Sequence, residues 1–350
     1  MNSACALDVV HVVREAVRVL LTDLRAAAGV LATATDVTLL AHVNPDADAL
    51  GSALALGLAL RRRGTRVRVS FGSPDTVPAS LRPLDTEGLV VPADALPPVP
   101  GLLVALDAGS LGRLGRLAPM VDATLAAGRP VLVVDHHAGN DGFGTHHLID
   151  DRAEATVVLV LALLDELALP LAPDIARCLY AGLVTDTSSF RRATPATHAM
   201  AARLIEAGVE PSELARNLMD THPFAWLRML SAVLGRAELD PAGAGGLGLV
   251  HTTVYLSDMD GVGLEEVESV VDIVRTTGEA EVAAVLKESG PNLWSGSLRA
   301  VRRVDVRVAA EQLGGGGHRL AAGFTTEGTA EDIVTRLRAA LRDPVLLTAG

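Results

Sequence analysis

The segment VLVVDHH, residues 131–137, decides the reading of this chain. Four consecutive apolar residues without alternation describe a strand buried on both faces, as in a parallel sheet. Asp135, His136 and His137 then put a carboxylate and two imidazoles on its C-terminal tip. Three further apolar runs end alike: TLLAHVNPDAD (38–48) delivers His42, Asp46 and Asp48, LLVALD (102–107) delivers Asp107, and AGLVTDT (181–187) delivers Asp186. Ligands of open α/β sheets bind beyond the carboxyl ends of the strands, so four such tips converging there would form a multi-metal site.

Working outward, strand-like runs at 37–41, 67–71, 102–106 and 131–134 alternate with helical stretches at 49–63, 154–168, 174–183 and 197–207. That alternation implies βαβ units and a parallel sheet covered on both faces. Residues 73–101 are rich in Pro, Asp and Gly and read as connection. The stretch 211–238 reads as helical and carries the chain to PAGAGG (241–246), a Gly-rich break where the boundary is expected. Beyond it, strands at 247–256, 280–288 and 293–301 and helices at 265–277, 304–313 and 330–342 suggest a compact α+β domain. The expected division is 15–210, a helical connection at 211–243, a second domain at 244–342 and a frayed tail at 343–350.

Composition narrows the functional classes. With 49% hydrophobic and 21% charged residues the chain supports sizeable cores. Aromatics at 3% argue against base-stacking platforms, and a formal net charge of −12 argues against tracking along long nucleic acid. Cys5 and Cys178 are far apart and read as two reduced thiols. The N-terminus reads as an amphipathic helix rather than a signal peptide, and no stretch reaches the ~18 apolar residues of a membrane span. A cytoplasmic location is expected.

Each tip residue taken alone has a plainer reading. Asp46 or Asp48 could cap the helix that follows Asn44-Pro45, and Asp107 or Asp186 could be caps or turn residues. Adjacent imidazoles after a buried strand are harder to explain away, since four ring nitrogens need partners. The competing pair His146-His147 follows Gly142-Phe143-Gly144-Thr145 and is assigned to a surface loop. Taken together the tips give His42, Asp46, Asp48, Asp107, His136 and Asp186 as metal ligands. Imidazoles and carboxylates without a thiolate suit Mn²⁺, with Mg²⁺ or Co²⁺ as substitutes. Two such ions per subunit are expected, about 3.5–4 Å apart, as phosphate-ester hydrolysis requires.

HVNPDADALGS (42–52), LDAGSLGRLG (106–115), VDHH (134–137) and TDT (185–187), in that order, resemble the four motifs of the DHH phosphoesterase superfamily. WSGSLRA (294–300) and GGGGHRLAAGF (314–324) resemble its associated nucleotide-binding domain. The resemblance runs over roughly residues 15–342 and is nearest to the bacterial nanoRNase and pAp-phosphatase group, some of whose members cleave cyclic di-AMP. It implies an N-terminal parallel-sheet α/β domain flanked by helices, with a smaller α+β domain across a cleft. His42 and Asp46 would bind one metal, and Asp48, His136 and Asp186 the other, with Asp107 bridging. Asp135 would orient a histidine, and His137 would act on the scissile phosphate or leaving group. Arg299, Ser297, His318 and Arg191 would hold substrate, and the amides of Gly315, Gly316 and Gly317 would approach phosphate as an anion nest.

The implied activity is cleavage of short oligoribonucleotides, pAp and linear or cyclic di-AMP by hydroxide activated between two metals. The implied partners are these nucleotides and a second copy in a homodimer, without long nucleic acid or membrane. A DHH-type pyrophosphatase and a non-catalytic nucleotide sensor are the alternatives. The GGGGH segment argues against the first, and the complete ligand set against the second. Two departures stand out: Ser188 where many members have Gly, and Ala300 where many have Ser.

Overall fold

The computed structural model describes residues 20–347. The N-terminal amphipathic helix expected before residue 20, and Cys5, lie outside the described residues. The chain divides into two compact units between Thr221 and His222.

In the first unit, α1 (residues 20–33) precedes the sheet. β1 (Asp36–Ala41), β2 (Arg66–Phe71), β3 (Leu102–Leu106), β4 (Val131–Asp135) and β5 (His146–Ile149) form one parallel sheet in the order β2-β1-β3-β4-β5. Every residue of β3 and β4 is buried. The reason is a core on each face. Val104, Leu106, Leu132 and Val134 pack into one apolar cluster, while Leu103, Ala105 and Val131 pack into another. Between β1 and β3 the strand order reverses, so the carboxyl ends of these two strands flank a topological switch point, where such sheets bind ligands.

The helices follow as α2 (Ala47–Arg62), α3 (Ala118–Ala126), α4 (Thr156–Glu166), α5 (Pro173–Asp186), α6 (Pro195–Glu206) and α7 (Pro211–Met219). α2 is buried at every residue from Ala47 to Leu60, which its Ala- and Leu-rich sequence allows on every side. It starts at Asp46, whose side chain accepts from the amides of Asp48 and Ala49.

The second unit includes α8 (Phe224–Gly235), which falls inside the connection expected at 211–243. Met229 and Val233 of α8 pack among Val250, Val254, Val270 and Val285, so the helix belongs to this core. β6 (Glu238–Asp240), β7 (Leu249–Val254), β8 (Val282–Gly290), β9 (Leu293–Ala300), β10 (Gly316–Gly317) and β11 (Ala321–Glu327) make a mixed sheet, in the order β10-β11-β9-β8-β7-β6. The helices Val306–Gln312 and Ala330–Ala340 cover one face, against Ala284, Leu286, Leu298 and Phe324. The helix Leu264–Val274 joins α8 on the other face, against Ala283 and Val285.

The tail expected to fray is pinned as far as Leu347. Its amide donates to Arg303 O at 2.8 Å, and the Asp305 amide donates to Val345 O at 2.8 Å. Among the described residues no helix is long and apolar enough to cross a membrane.

Candidate metal centre

His42 follows β1 directly. Its Nδ1 lies 2.8 Å from Val43 O, and since a carbonyl only accepts, Nδ1 carries a hydrogen and Nε2 faces the carboxylates. Nε2 is 3.6 Å from Asp46 Oδ2 and 3.5 Å from Asp107 Oδ2. Asp46 uses its two oxygens differently. Oδ1 caps α2, accepting from Asp48 and Ala49 at 3.1 and 3.0 Å, while Oδ2 faces the histidine.

Asp48 is 1% exposed. It accepts from the first two amides of α4, Thr156 at 2.7 Å and Val157 at 2.9 Å, one on each oxygen. Gly182 of α5 makes this approach possible, because a Cβ there would lie 2.8 Å from Asp48 Oδ1.

Asp107 follows β3 directly with φ +57°, a left-handed conformation uncommon for a residue with a Cβ. Its two oxygens face opposite ways. Oδ2 meets His42, whereas Oδ1 lies 3.5 Å from His136 Nε2 and accepts from Thr156 Oγ1 at 2.8 Å. His136 Nδ1 is 3.1 Å from Ala153 O, which turns Nε2 toward Asp186 Oδ2 at 3.3 Å and Asp48 Oδ2 at 3.9 Å. Asp186 is the last residue of α5 and not a strand tip. The apolar run that suggested a strand is the buried C-terminal half of a helix packed against α2, and run length alone does not separate the two.

All six sequence-derived residues thus come together. Donor atoms of His42, Asp46 and Asp107 lie within 4.8 Å of one another, as do those of Asp48, His136 and Asp186, and those of Asp107, His136 and His137. The electrostatics ask for positive charge. Burial pushes the Asp48 carboxyl well above the usual range, and Asp107, Asp186 and Asp46 push it further. Burial likewise lifts Asp186 to about 6, with Asp107 and Asp46 adding and His136 opposing. Burial opposes a charge on His42, yet Asp107 and Asp46 hold its imidazole up at about 9. Carboxylates packed so tightly at the rim of a low-dielectric core are stabilised by divalent cations, and the all-N/O donor set fits such ions.

Beside the cluster His137 Nδ1 lies 2.7 Å from Asp135 Oδ1, and Asn140 Nδ2 donates to Asp135 Oδ2 at 2.6 Å and to Ala108 O at 3.1 Å. Asp135 is fully buried, so this chain of contacts fixes the His137 ring. Asn140 and Thr156 escaped the sequence reading, because their partners are set by tertiary approach. Arg113, also missed, acts electrostatically on His42 and Asp46, and its signal was its place inside LDAGSLGRLG.

The setting of the second histidine pair needs correction. His146 and His147 are not in a loop but on the edge strand β5, and His147 Nε2 accepts from the Gly144 amide at 3.2 Å. Arg191 is exposed, while Arg192 donates to Asp186 O. Ser188, Ser189 and Phe190 run in sequence through φ +53°, +57° and +63°, so Ser188, where the resembled motif has Gly, is left-handed.

In the second unit, Ser297 and Arg299 alternate along β9 and are half-buried. The Arg299 guanidinium donates to Leu298 O at 3.0 Å, and His318 is exposed in the turn before β11. The glycines meet a packing need within the fold. The Gly315 amide donates to Ala310 O at 2.8 Å, and a Cβ on Gly315 would lie 2.0 Å from Gly323 O. Gly316 and Gly317 pair with β11 as β10.

The model of the N-terminal domain of the DHH family matches residues 36–183, and the DHHA1 domain model matches residues 250–343. The chain is 32% identical over 296 residues to the bifunctional oligoribonuclease and PAP phosphatase NrnA of Thermus thermophilus, covering 82% of this chain and 83% of that one. It is 26% identical over 223 residues to the cyclic-di-AMP phosphodiesterase GdpP of Geobacillus thermodenitrificans, covering 61% of this chain and 32% of that one. The crystal structure of an exopolyphosphatase-related protein from Bacteroides fragilis superposes with a TM-score of 0.82 at 21% identity, over 91% of this chain and 95% of that one.

Proposed function

Since the chain belongs to the DHH family and also carries a DHHA1 domain, we propose that it is a metal-dependent phosphohydrolase of short nucleotidic substrates. We include among these oligoribonucleotides of a few units, pAp and linear or cyclic di-AMP. The observation that carries this reading is the Asp107 carboxylate, with one oxygen toward His42 and the other toward His136. A carboxylate so turned is suited to bridge two cations, and two Mn²⁺ ions, with Mg²⁺ or Co²⁺ as substitutes, fit the donors on either side. Bound there, the cations would supply Lewis acidity at a phosphoryl centre.

The remaining roles fall to the chain's own groups. His42 and Asp46 would hold one ion, and Asp48, His136 and Asp186 the other. Thr156 fixes the Asp107 rotamer by donating to Oδ1. Asp135, itself gripped by Asn140, keeps the hydrogen of His137 on Nδ1, so a second proton on Nε2 is the one to pass to a leaving oxygen. Arg299, with Ser297, would bind a substrate phosphate through charge-assisted hydrogen bonds. The activities named for the Thermus and Geobacillus relatives support nucleotides as the class.

The test is kcat/KM on pAp, di-adenylate, cyclic di-AMP and pyrophosphate, with Mn²⁺ and after chelation. Mn²⁺-dependent turnover of at least one of the nucleotides is expected, lost on chelation. Turnover confined to pyrophosphate would overturn the substrate class, and tight nucleotide binding without turnover would favour a sensor.

A further inference from the structure

One buried charge lies outside everything assigned so far. Lys287 of β8 has a side chain only 5% exposed, yet its ammonium sits in the second unit far along the sequence from the acidic cluster. It donates to Glu268 Oε2 of the helix Leu264–Val274 and to Ser297 Oγ at 2.8 Å. The pair is lopsided, since the Glu268 side chain is 59% exposed while the lysine is buried. An ion pair kept only for stability gains little from such a partner, because a solvated carboxylate is screened and the buried ammonium still loses its hydration.

The sheet register explains what the lysine can do there. Ser297 pairs with Val285 and Arg299 with Ala283, so both side chains lie on the same sheet face as Val285 and Lys287. Toward the other edge, Ser297 pairs with Gly323 and Arg299 with Ala321, and Gly323 pairs with Gly316. The helix Leu264–Val274 covers the β7–β8 part of this face. Beyond it the floor is glycine and alanine, and the β9 residues on this side, including Ser295, Ser297 and Arg299, stay half-exposed while their neighbours Trp294, Gly296 and Leu298 are buried. Arg299 carries five donors and uses one on Leu298 O. This is an open face with unused positive hydrogen-bonding capacity beside a hydroxyl.

A lysine ammonium donates and cannot accept. Where it donates to Ser297 Oγ, the serine hydrogen must point away from it. Among the described residues, the remaining acceptor for Ser297 Oγ is Glu268 Oε2 at 3.4 Å, an oxygen that already receives the ammonium. We propose that Lys287 is a positioning residue which sets Ser297 as a donor, so that its hydroxyl and Arg299 together grip an anionic oxygen of the substrate. Glu268 is the counter-charge that occupies this place until the anion arrives. The inference rests on the nucleotide-hydrolase reading above and adds to it a device the sequence motifs did not contain.

The experiment measures binding of AMP to the full chain by calorimetry, together with KM and kcat on di-adenylate and the thermal midpoint. Lys287→Met should weaken AMP binding about 10-fold and raise KM more than it lowers kcat, the scale of one charge-assisted hydrogen bond. Ser297→Ala should cost a similar factor, and the double variant about the same 10-fold rather than about 100-fold, because the two act in series. Glu268→Gln should tighten AMP binding about threefold by removing a competing negative charge. A purely structural pair would move the midpoint in both variants and leave AMP affinity within about twofold, which would overturn the proposal. Additive losses would also overturn it, since Lys287 would then act without Ser297. If Lys287→Met does not melt cooperatively, Glu268→Gln decides: tighter binding supports the device, and weaker or unchanged binding rejects it. Failure of the wild-type chain to bind AMP or cleave any nucleotide would instead remove the underlying reading, and the inference with it.

Discussion

The two polar sites of this chain are built on opposite plans. The first unit gathers acidic and imidazole groups at the ends of elements: after β1, after β3, after β4 and at the last residue of α5. The second unit gathers Lys287, Ser297 and Arg299 on the flat of a sheet, on alternate residues of neighbouring strands. Element ends can converge several side chains on one point, which suits chemistry at a single atom. A sheet face spreads its groups at strand spacing, which suits gripping something extended. The signs of charge differ as well. The first site has surplus carboxylates that call for cations, and the second has a buried ammonium and a half-buried guanidinium that suit an anion.

The largest effect should come from Asp107, the carboxylate proposed to bridge the first site. Asp107→Asn should lower kcat about 10³-fold with Mn²⁺ present and reduce bound Mn²⁺ when metal content is measured. Asparagine keeps an oxygen for Thr156, and removing a charge beside Asp48 relieves crowding, so the metal-free variant should melt at or above the wild-type temperature. Near wild-type turnover would break the first half of the comparison. Next, His137→Ala should lower kcat about 10²-fold, and Asn140→Leu about 10-fold, since Asn140 acts at one remove, holding Asp135 and the Ala108 carbonyl. His147→Ala, on the edge strand, should be close to neutral in the same assay.

The second site is tested by its dependence on substrate size. Arg299→Ala should cost about 10- to 100-fold in kcat/KM on di-adenylate, with little change in Mn²⁺ content. The generic ester bis-p-nitrophenyl phosphate, which offers nothing further to hold, should be much less affected. Equal losses on both substrates would mean that the second site does not bind an extended ligand. The smallest effect concerns backbone rather than charge. Ser188→Gly should raise stability by about 0.5–1 kcal/mol in chemical denaturation, because Ser188 is held at φ +53°.

The same contrast explains what the sequence disclosed. His42, Asp46, Asp48, Asp107 and His136 were legible because each closely follows an apolar run, and end-on geometry survives errors in everything else. Asp186 was found for the wrong local reason, since a buried helix terminus imitates a strand end in sequence. β5 was missed because HHLI is short and half polar. Asn140 and Thr156 could not be found, as their hydrogen bonds depend on how loops and helices close over the sheet. Lys287 was invisible for the same reason: AAVLKE reads as a strand, but nothing in it states that residue 287 would stand beside residue 297. The boundary was placed late because a Gly-rich break is a conspicuous signal, whereas the packing of Met229 and Val233 has none.

The grip of Asp48 on the first two amides of α4 has a practical consequence. Those hydrogen bonds join positions 108 and 109 residues apart, and they end on the same carboxylate that lies beside His136 and Asp186. Any cation arriving there must withdraw electron density from oxygens that the Thr156 and Val157 amides already touch. In a ¹H–¹⁵N spectrum these two resonances should therefore move together during a Mg²⁺ titration, ahead of any turnover, and read occupancy of the centre from outside it.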